Sequence, residues 1–149
     1  MSITTHRRHR GDFTWEDTPV LAYKQADTAP FRDVTRQVLF EDAQLGCQLR
    51  YFEIAPAGHT TLERHQHLHA VMIIRGGGQC LVGERVFAVA EHDLVHIPGL
   101  IWHQFRADAD GPLGFLCLVN AERDRPQLPS SEDLVVLCQN AHVAAFIRS

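Results

Sequence analysis

The sequence has no apolar run approaching the roughly 20 residues of a membrane-spanning helix. Its start, Met1–Gly11, is polar and basic and carries no apolar segment of the kind a secretory signal needs. A cytoplasmic protein with no membrane partner is therefore expected. Positive charge is not in excess: 14 Lys and Arg stand against 18 Asp and Glu, a formal net charge of -4. That argues against nucleic acid as a partner, which asks for a basic face. The four cysteines, Cys47, Cys80, Cys117 and Cys138, stand singly with no CxxC pair. Neither a zinc knuckle nor a thioredoxin-like motif fits, and reduced thiols in apolar surroundings are expected.

Helical periodicity is also missing from most of the chain, and no internal repeat is visible. Short apolar runs, each closed by a turn signal, take its place: 33–40, 45–54, 71–74, 79–82, 86–89, 94–97, 102–106 and 113–119. Thr60–His65 leads into a histidine cluster. Many short strands at close intervals predict an all-β sandwich or barrel. Near the C-terminus Ser130-Ser131-Glu132-Asp133 offers a cap and an acidic first turn. Two short helices are expected after it, over 134–138 and 142–147. The expected organisation is a flexible basic tail over 1–11, with Arg7, Arg8 and Arg10, then a β-barrel domain over 12–129 and a helical segment over 130–149. Phe13, Trp15 and Tyr23 are expected to pack across the barrel or at a dimer interface.

Histidine is what the sequence has in quantity: ten, with His65, His67 and His69 at alternate positions behind Glu63. Alternate residues of a strand share a face. Residues four apart on one strand are about 13 Å apart, so one ion cannot be reached by all of them unless a turn intervenes. Imidazoles with a carboxylate form a donor set suited to Mn, Fe, Ni or Zn. His103 follows after the Pro98-Gly99 turn and is a further ligand candidate.

The stretch from Pro56 to Phe105 resembles the two motifs of the cupin superfamily. The second motif reads Glu91-His92-Asp93-Leu94-Val95-His96-Ile97-Pro98-Gly99-Leu100-Ile101-Trp102-His103-Gln104-Phe105. His92 replaces the family glycine before Asp93, Gly99 replaces the second proline, and His103 keeps its spacing. The resemblance implies a jelly-roll β-barrel and a metal role for His103. The first motif allows two registers. Counting back from Gly76 makes Glu63, His65 and His69 the partners of His103, with Gln66-His67-Leu68 as a hairpin loop. Alternatively His65 and His67 form the His-x-His pair, followed by His69 after a one-residue loop or by Val71. The first register is favoured. His67 is an acid/base candidate under it and a ligand under the second.

Four further stretches, 29–40, 62–65, 102–107 and 121–129, resemble a narrower family of manganese cupins, the methylsulfurylases of methylthioadenosine salvage. That resemblance implies a divalent metal, most often manganese. It also implies a sugar phosphate substrate, loss of a methylthio group from C1 of 1-methylthio-xylulose 5-phosphate to give 1-deoxyxylulose 5-phosphate, and a homodimer. Cys117, in Gly114-Phe115-Leu116-Cys117-Leu118-Val119, would face the barrel interior. It or an added thiol co-substrate would accept the methylthio group, so a lowered Cys117 pKa near the cation is expected. His67 could return a proton. Arg50, Arg64 and Arg36 are candidates for the phosphate. A metal-dependent dioxygenase acting on a small thiol or organic acid, and a non-catalytic ligand-sensing barrel, are the other readings of the same site.

Overall fold

The computed structural model describes residues 5–23 and 32–149. Residues 1–4 of the expected tail, and Ala29–Phe31 of the first methylsulfurylase-like stretch, lie outside them. In chain order the elements are β1 (His9–Gly11), β2 (Thr14–Trp15), β3 (Leu21–Ala22), β4 (Arg32–Asp42), β5 (Cys47–His59), β6 (His69–Arg75), β7 (Gly77–Val82), β8 (Arg85–Ala90), β9 (Leu94–Ile97), β10 (His103–Ala107), β11 (Leu113–Asn120), α1 (Ser131–Leu137) and α2 (Ala141–Phe146). The main sheet runs β8-β7-β10-β5-β11-β6-β9, with β4 also on β5 and β3 on β4. Its pairings are antiparallel, and the sheet curls into the barrel expected from the turn spacing, with the jelly-roll form that the cupin resemblance implies.

Alternation selects the inner face. Both faces of β11 are apolar in sequence, but Phe115, Cys117 and Val119 are buried while Leu118 is 45% exposed. The same rule turns Arg50, Phe52 and Ile54 of β5 inward. Phe105, Phe115 and Phe52 stack in series, with ring centroids 4.6 and 5.6 Å apart, and form an aromatic floor across β10, β11 and β5. A second cluster, Leu62, Leu81, Leu137, Val143 and Phe146, seats α1 and α2 against β7 and the edge strand β8. Edge strands expose unpaired backbone, and a covering helix shields them. The cap is where the sequence placed it, and α1 starts directly after it at Ser131, three residues before the expected 134. Ser130 accepts from the Asp133 N–H, and the Asp133 carboxylate accepts from the Ser130 N–H, a reciprocal capping box.

Two local readings change. Pro56-Ala57-Gly58 does not end β5. The strand runs on to His59 by placing Ala57 at φ 63, where its N–H donates to Asp108 O. An irregularity absorbed by one residue in the left-handed region bends a strand without ending it. Second, His9–Gly11 of the expected tail pairs with Thr14–Trp15, and Arg7 Nη1 donates to Thr18 Oγ1 and Leu39 O. Phe13 stacks on Tyr51 from the outer side, with Trp15 beside it. These aromatics thus cover the outer sheet face, whereas Tyr23 packs edge-on against Phe52 inside.

The turn between β6 and β7 depends on Gly76, at φ 66, where an added Cβ would lie 1.9 Å from Pro112 O. Strained φ and a backbone clash act together there. Gly76→Ala should destabilise by about 2–4 kcal/mol, read as a lower urea midpoint at unchanged slope. An unchanged midpoint would remove the turn from the account.

Candidate metal centre

Glu63 and His65 precede β6 in a segment that is not a regular strand. Glu63 pairs by a single bridge with His103 of β10, the Glu63 N–H donating to His103 O at 3.2 Å and the His103 N–H to Glu63 O at 3.0 Å. The chain then bends through Gln66 and His67 and enters β6 at His69, which pairs with Ile97 of β9. The expected hairpin is therefore not what forms. The segments before and after the loop pair with different strands, because the loop crosses from the β10 side of the barrel to the β9 side.

The crossing brings histidines four residues apart into contact. Nε2 of His65 and Nε2 of His69 lie 2.8 Å apart. One nitrogen from each of His65, His69 and His103 falls within 4.8 Å of the others, so the three form a cluster that could hold a metal ion. Second partners set the ring orientations. Nδ1 of His65 faces the carbonyl of His67 at 2.7 Å, and Nδ1 of His103 faces that of Ile101 at 2.9 Å. A carbonyl only accepts, so each Nδ1 carries the proton and each Nε2 keeps a lone pair toward the cluster. Burial keeps the His69 and His103 rings neutral. It pulls His103 down to about 4, helped by the nearby His65 and His67 and opposed by Ile101 O and Glu63. His69 falls further, through burial and then the neighbouring His103, His65 and Arg50. Neutral imidazoles with aimed lone pairs are the donor state a divalent cation requires.

Glu63 is buried beside this cluster and lines the same pocket, with Tyr23 Oη donating to its Oε1 at 3.4 Å. Burial holds the Tyr23 phenol far above its ordinary pKa, so it stays a donor. His67 sits differently. Its ring stacks on His65 with centroids 3.7 Å apart, and its Nδ1 lies 2.9 Å from Asp124 Oδ1. Asp124 also accepts the backbone N–H groups of Gln66 and His67. Those donors hold its carboxyl well below the usual range, the Gln66 N–H most strongly. Asp124 thus clamps the bend, and sequence reading missed it. It lies in a charged loop beyond the last strand, where no periodicity ties it to a histidine.

Cys117 lines the pocket, its Sγ 2.9 Å from His69 Nδ1 and 3.8 Å from Arg50 Nη2. Burial pushes the thiol up, and Arg50 and then Arg123 pull it down only in part. The protein's own groups therefore do not give the lowered thiol expected from sequence; a cation at the imidazoles would add to the downward pull. Arg64 lies elsewhere, stacked over Trp102 at 4.4 Å and donating to Gln127. The pocket opens to solvent, and its cavity volume is about 40 Å³.

Residues 50–119 match the cupin domain family model. Over 141 residues the chain is 57% identical to a 1-methylthio-D-xylulose 5-phosphate methylsulfurylase of Rhodospirillum rubrum, covering 95% of this chain and 90% of that protein. The chain belongs to the cupin family. A crystal structure of a cupin 2 conserved barrel domain protein from Rhodopseudomonas palustris matches this cupin with a TM-score of 0.92 at 54% identity, over 97% of this chain and 100% of that one. A polyketide cyclase from Streptomyces resistomycificus shares the fold at TM-score 0.72 and 21% identity, over 95% and 98% of the two chains.

Neutral buried imidazoles carry a pH consequence. The folded-state pKa of His103 and His69 lies below the ordinary 6.5, so below that value the unfolded chain binds more protons than the folded one. The stability they contribute is complete above about 6.5 and is lost as pH falls toward 4. Urea midpoints of the metal-stripped protein should fall steadily across that window. A flat profile would mean that these rings are charged or solvated in the folded state.

Proposed function

We propose that this chain is a methylsulfurylase that removes the methylthio group of 1-methylthio-xylulose 5-phosphate to give 1-deoxyxylulose 5-phosphate. The observation that carries this reading is the 57% identity across 95% of the chain to a protein of that name, together with a thiol beside a three-imidazole cluster, of which His69 and His103 line the same pocket as Cys117. The dioxygenase and ligand-sensing readings have no comparable support.

His65, His69 and His103 would hold a divalent cation, with Glu63 as the oxygen donor; this nitrogen-rich set with one carboxylate suits manganese, and also iron, nickel or zinc. Such an ion supplies Lewis-acid stabilisation of negative charge on the oxygens of an α-hydroxyketone. The chain's own groups do the rest. A thiolate, from Cys117 or from an added thiol, attacks the methylthio sulfur. The S–S bond forms as the C1–S bond breaks, and the electron pair left on C1 is delocalised onto the C2 oxygen. C1 then takes a proton, which balances the one the thiol lost, and the methylthio group leaves as a mixed disulfide. His67, oriented by Asp124, is the proposed proton donor. Tyr23 donates to Glu63 and holds that carboxylate in place.

A homodimer in the cytoplasm, without nucleic-acid or membrane partners, completes the reading. The support for a dimer is an apolar outer sheet face, where Leu94, Met72 and Leu118 on neighbouring strands are 69%, 41% and 45% exposed. No helix among the described residues is long and apolar enough to cross a membrane.

Metal-loaded protein given 1-methylthio-xylulose 5-phosphate and a small thiol should form 1-deoxyxylulose 5-phosphate and the methylthio mixed disulfide in equal amounts. With Cys117 as the attacking thiol, Cys117→Ser lowers the rate at least about a hundredfold, the scale of losing a positioned nucleophile; an unchanged rate assigns the attack to the added thiol. Absence of both products from the metal-loaded protein would contradict the reading.

A further inference from the structure

Arg50 is 5% exposed, yet its Nε has no hydrogen-bond partner among the described residues. An orphaned guanidinium N–H in a protein interior is costly and calls for an explanation. The side chain lines the same pocket as the imidazoles, with one edge turned to the Cys117 sulfur. Arg36 shows the same feature: its Nε is buried and unpartnered among the described residues. The register places the two on one face of the sheet. Arg36 of β4 lies directly opposite Phe52 of β5, and Phe52 shares the inner face with Arg50 two residues before it.

A third guanidinium joins them. Arg123 Nη1 donates to Gln48 Oε1 at 3.1 Å, and Gln48 lies on the same face of β5 as Arg50. Burial and then the like charges of Arg50 and Arg36 lower the Arg123 pKa, so the three cations face one another. Glu41 is the carboxylate that opposes Arg123. Among the described residues, the buried Nε–H groups of Arg36 and Arg50 meet no acceptor. The cluster runs from buried Arg50 to exposed Arg123, from the pocket to the surface.

We infer that Arg36, Arg50 and Arg123 form a subsite for the dianionic phosphate monoester of a small ligand whose other end lies at the imidazole cluster. This rests on the proposed reading that the substrate is a phosphorylated ketose, and it gives that substrate its point of attachment. Phosphate offers three terminal oxygens, which guanidinium groups meet with short, charge-assisted hydrogen bonds. Arg64, the remaining candidate from sequence, is spent on Trp102 and Gln127.

The test is calorimetric binding of D-xylulose 5-phosphate and of D-xylulose to metal-loaded protein, so that no turnover is needed. Wild type should prefer the phosphorylated sugar by at least about a hundredfold. Arg36→Met and Arg123→Met, each partly exposed and tolerant of change, should each cut the affinity for D-xylulose 5-phosphate about tenfold. Both should leave metal content and D-xylulose binding as they are, and Arg50→Lys should retain part of the affinity that Arg50→Met loses. Equal binding of the two sugars by wild type, or unchanged affinity in both partly exposed variants, would overturn the subsite. A phosphate preference that persists in protein unable to cleave the C–S bond would uphold the subsite and reject the reaction. Cleavage that ignores the arginines would do the reverse.

Discussion

Two histidines four residues apart can share one ion only if the strand between them is broken. Extended backbone would hold His65 and His69 about 13 Å apart, and the structure brings their Nε2 atoms to 2.8 Å. Everything else in the site follows from that bend. The Glu63–His103 bridge anchors it on one side and β6 on the other. Asp124 satisfies the two N–H groups that the broken strand leaves without a ladder partner. The carbonyl of His67, freed from pairing by the bend, is the acceptor that fixes the tautomer of His65. A backbone defect is thus the means by which a sheet protein makes a compact ligand set.

The same burial that builds the barrel sets the chemistry of its pocket. It keeps His69 and His103 neutral, which favours cation binding, and it raises the Cys117 thiol, which opposes nucleophilic attack. The two effects are coupled through one contact, since His69 Nδ1 lies 2.9 Å from Cys117 Sγ. A cation on the far nitrogen of His69 would make the N–H facing the sulfur a stronger donor and favour the thiolate. Arg50 adds to this from the other side. In the proposed reaction, occupation of the metal site would therefore set the reactive state of the thiol.

Much of this was legible in the sequence, and the limits have physical causes. The strands and most turns follow from apolar alternation and from glycines such as Gly76 and Gly83, both at φ 66. The capping box at Ser130 is visible as residue types at fixed spacing. Glu63, His65, His69 and His103 could be grouped by the register of the cupin resemblance counted back from Gly76, and the spacing added only that an unbroken strand could not serve one ion. What periodicity cannot report is pairing partners. It suggested a hairpin across Gln66-His67-Leu68 where the chain crosses from the β10 side of the barrel to the β9 side. It also stopped β5 at Pro56, because nothing local distinguishes a turn from a bent strand held by Asp108 O. Asp124 and Arg123 were missed for a related reason: their partners lie 57 and 75 residues away in the chain.

The central claim is that the broken strand builds a metal centre from three particular nitrogens. Anomalous diffraction from crystals of the manganese-loaded protein tests it most directly. One peak should appear at about 2.0–2.3 Å from Nε2 of His65, His69 and His103, close to the usual metal–nitrogen bond length, with His67 still on Asp124. A peak on His67, or an ordered ion elsewhere while these three rings stay unligated, would contradict it.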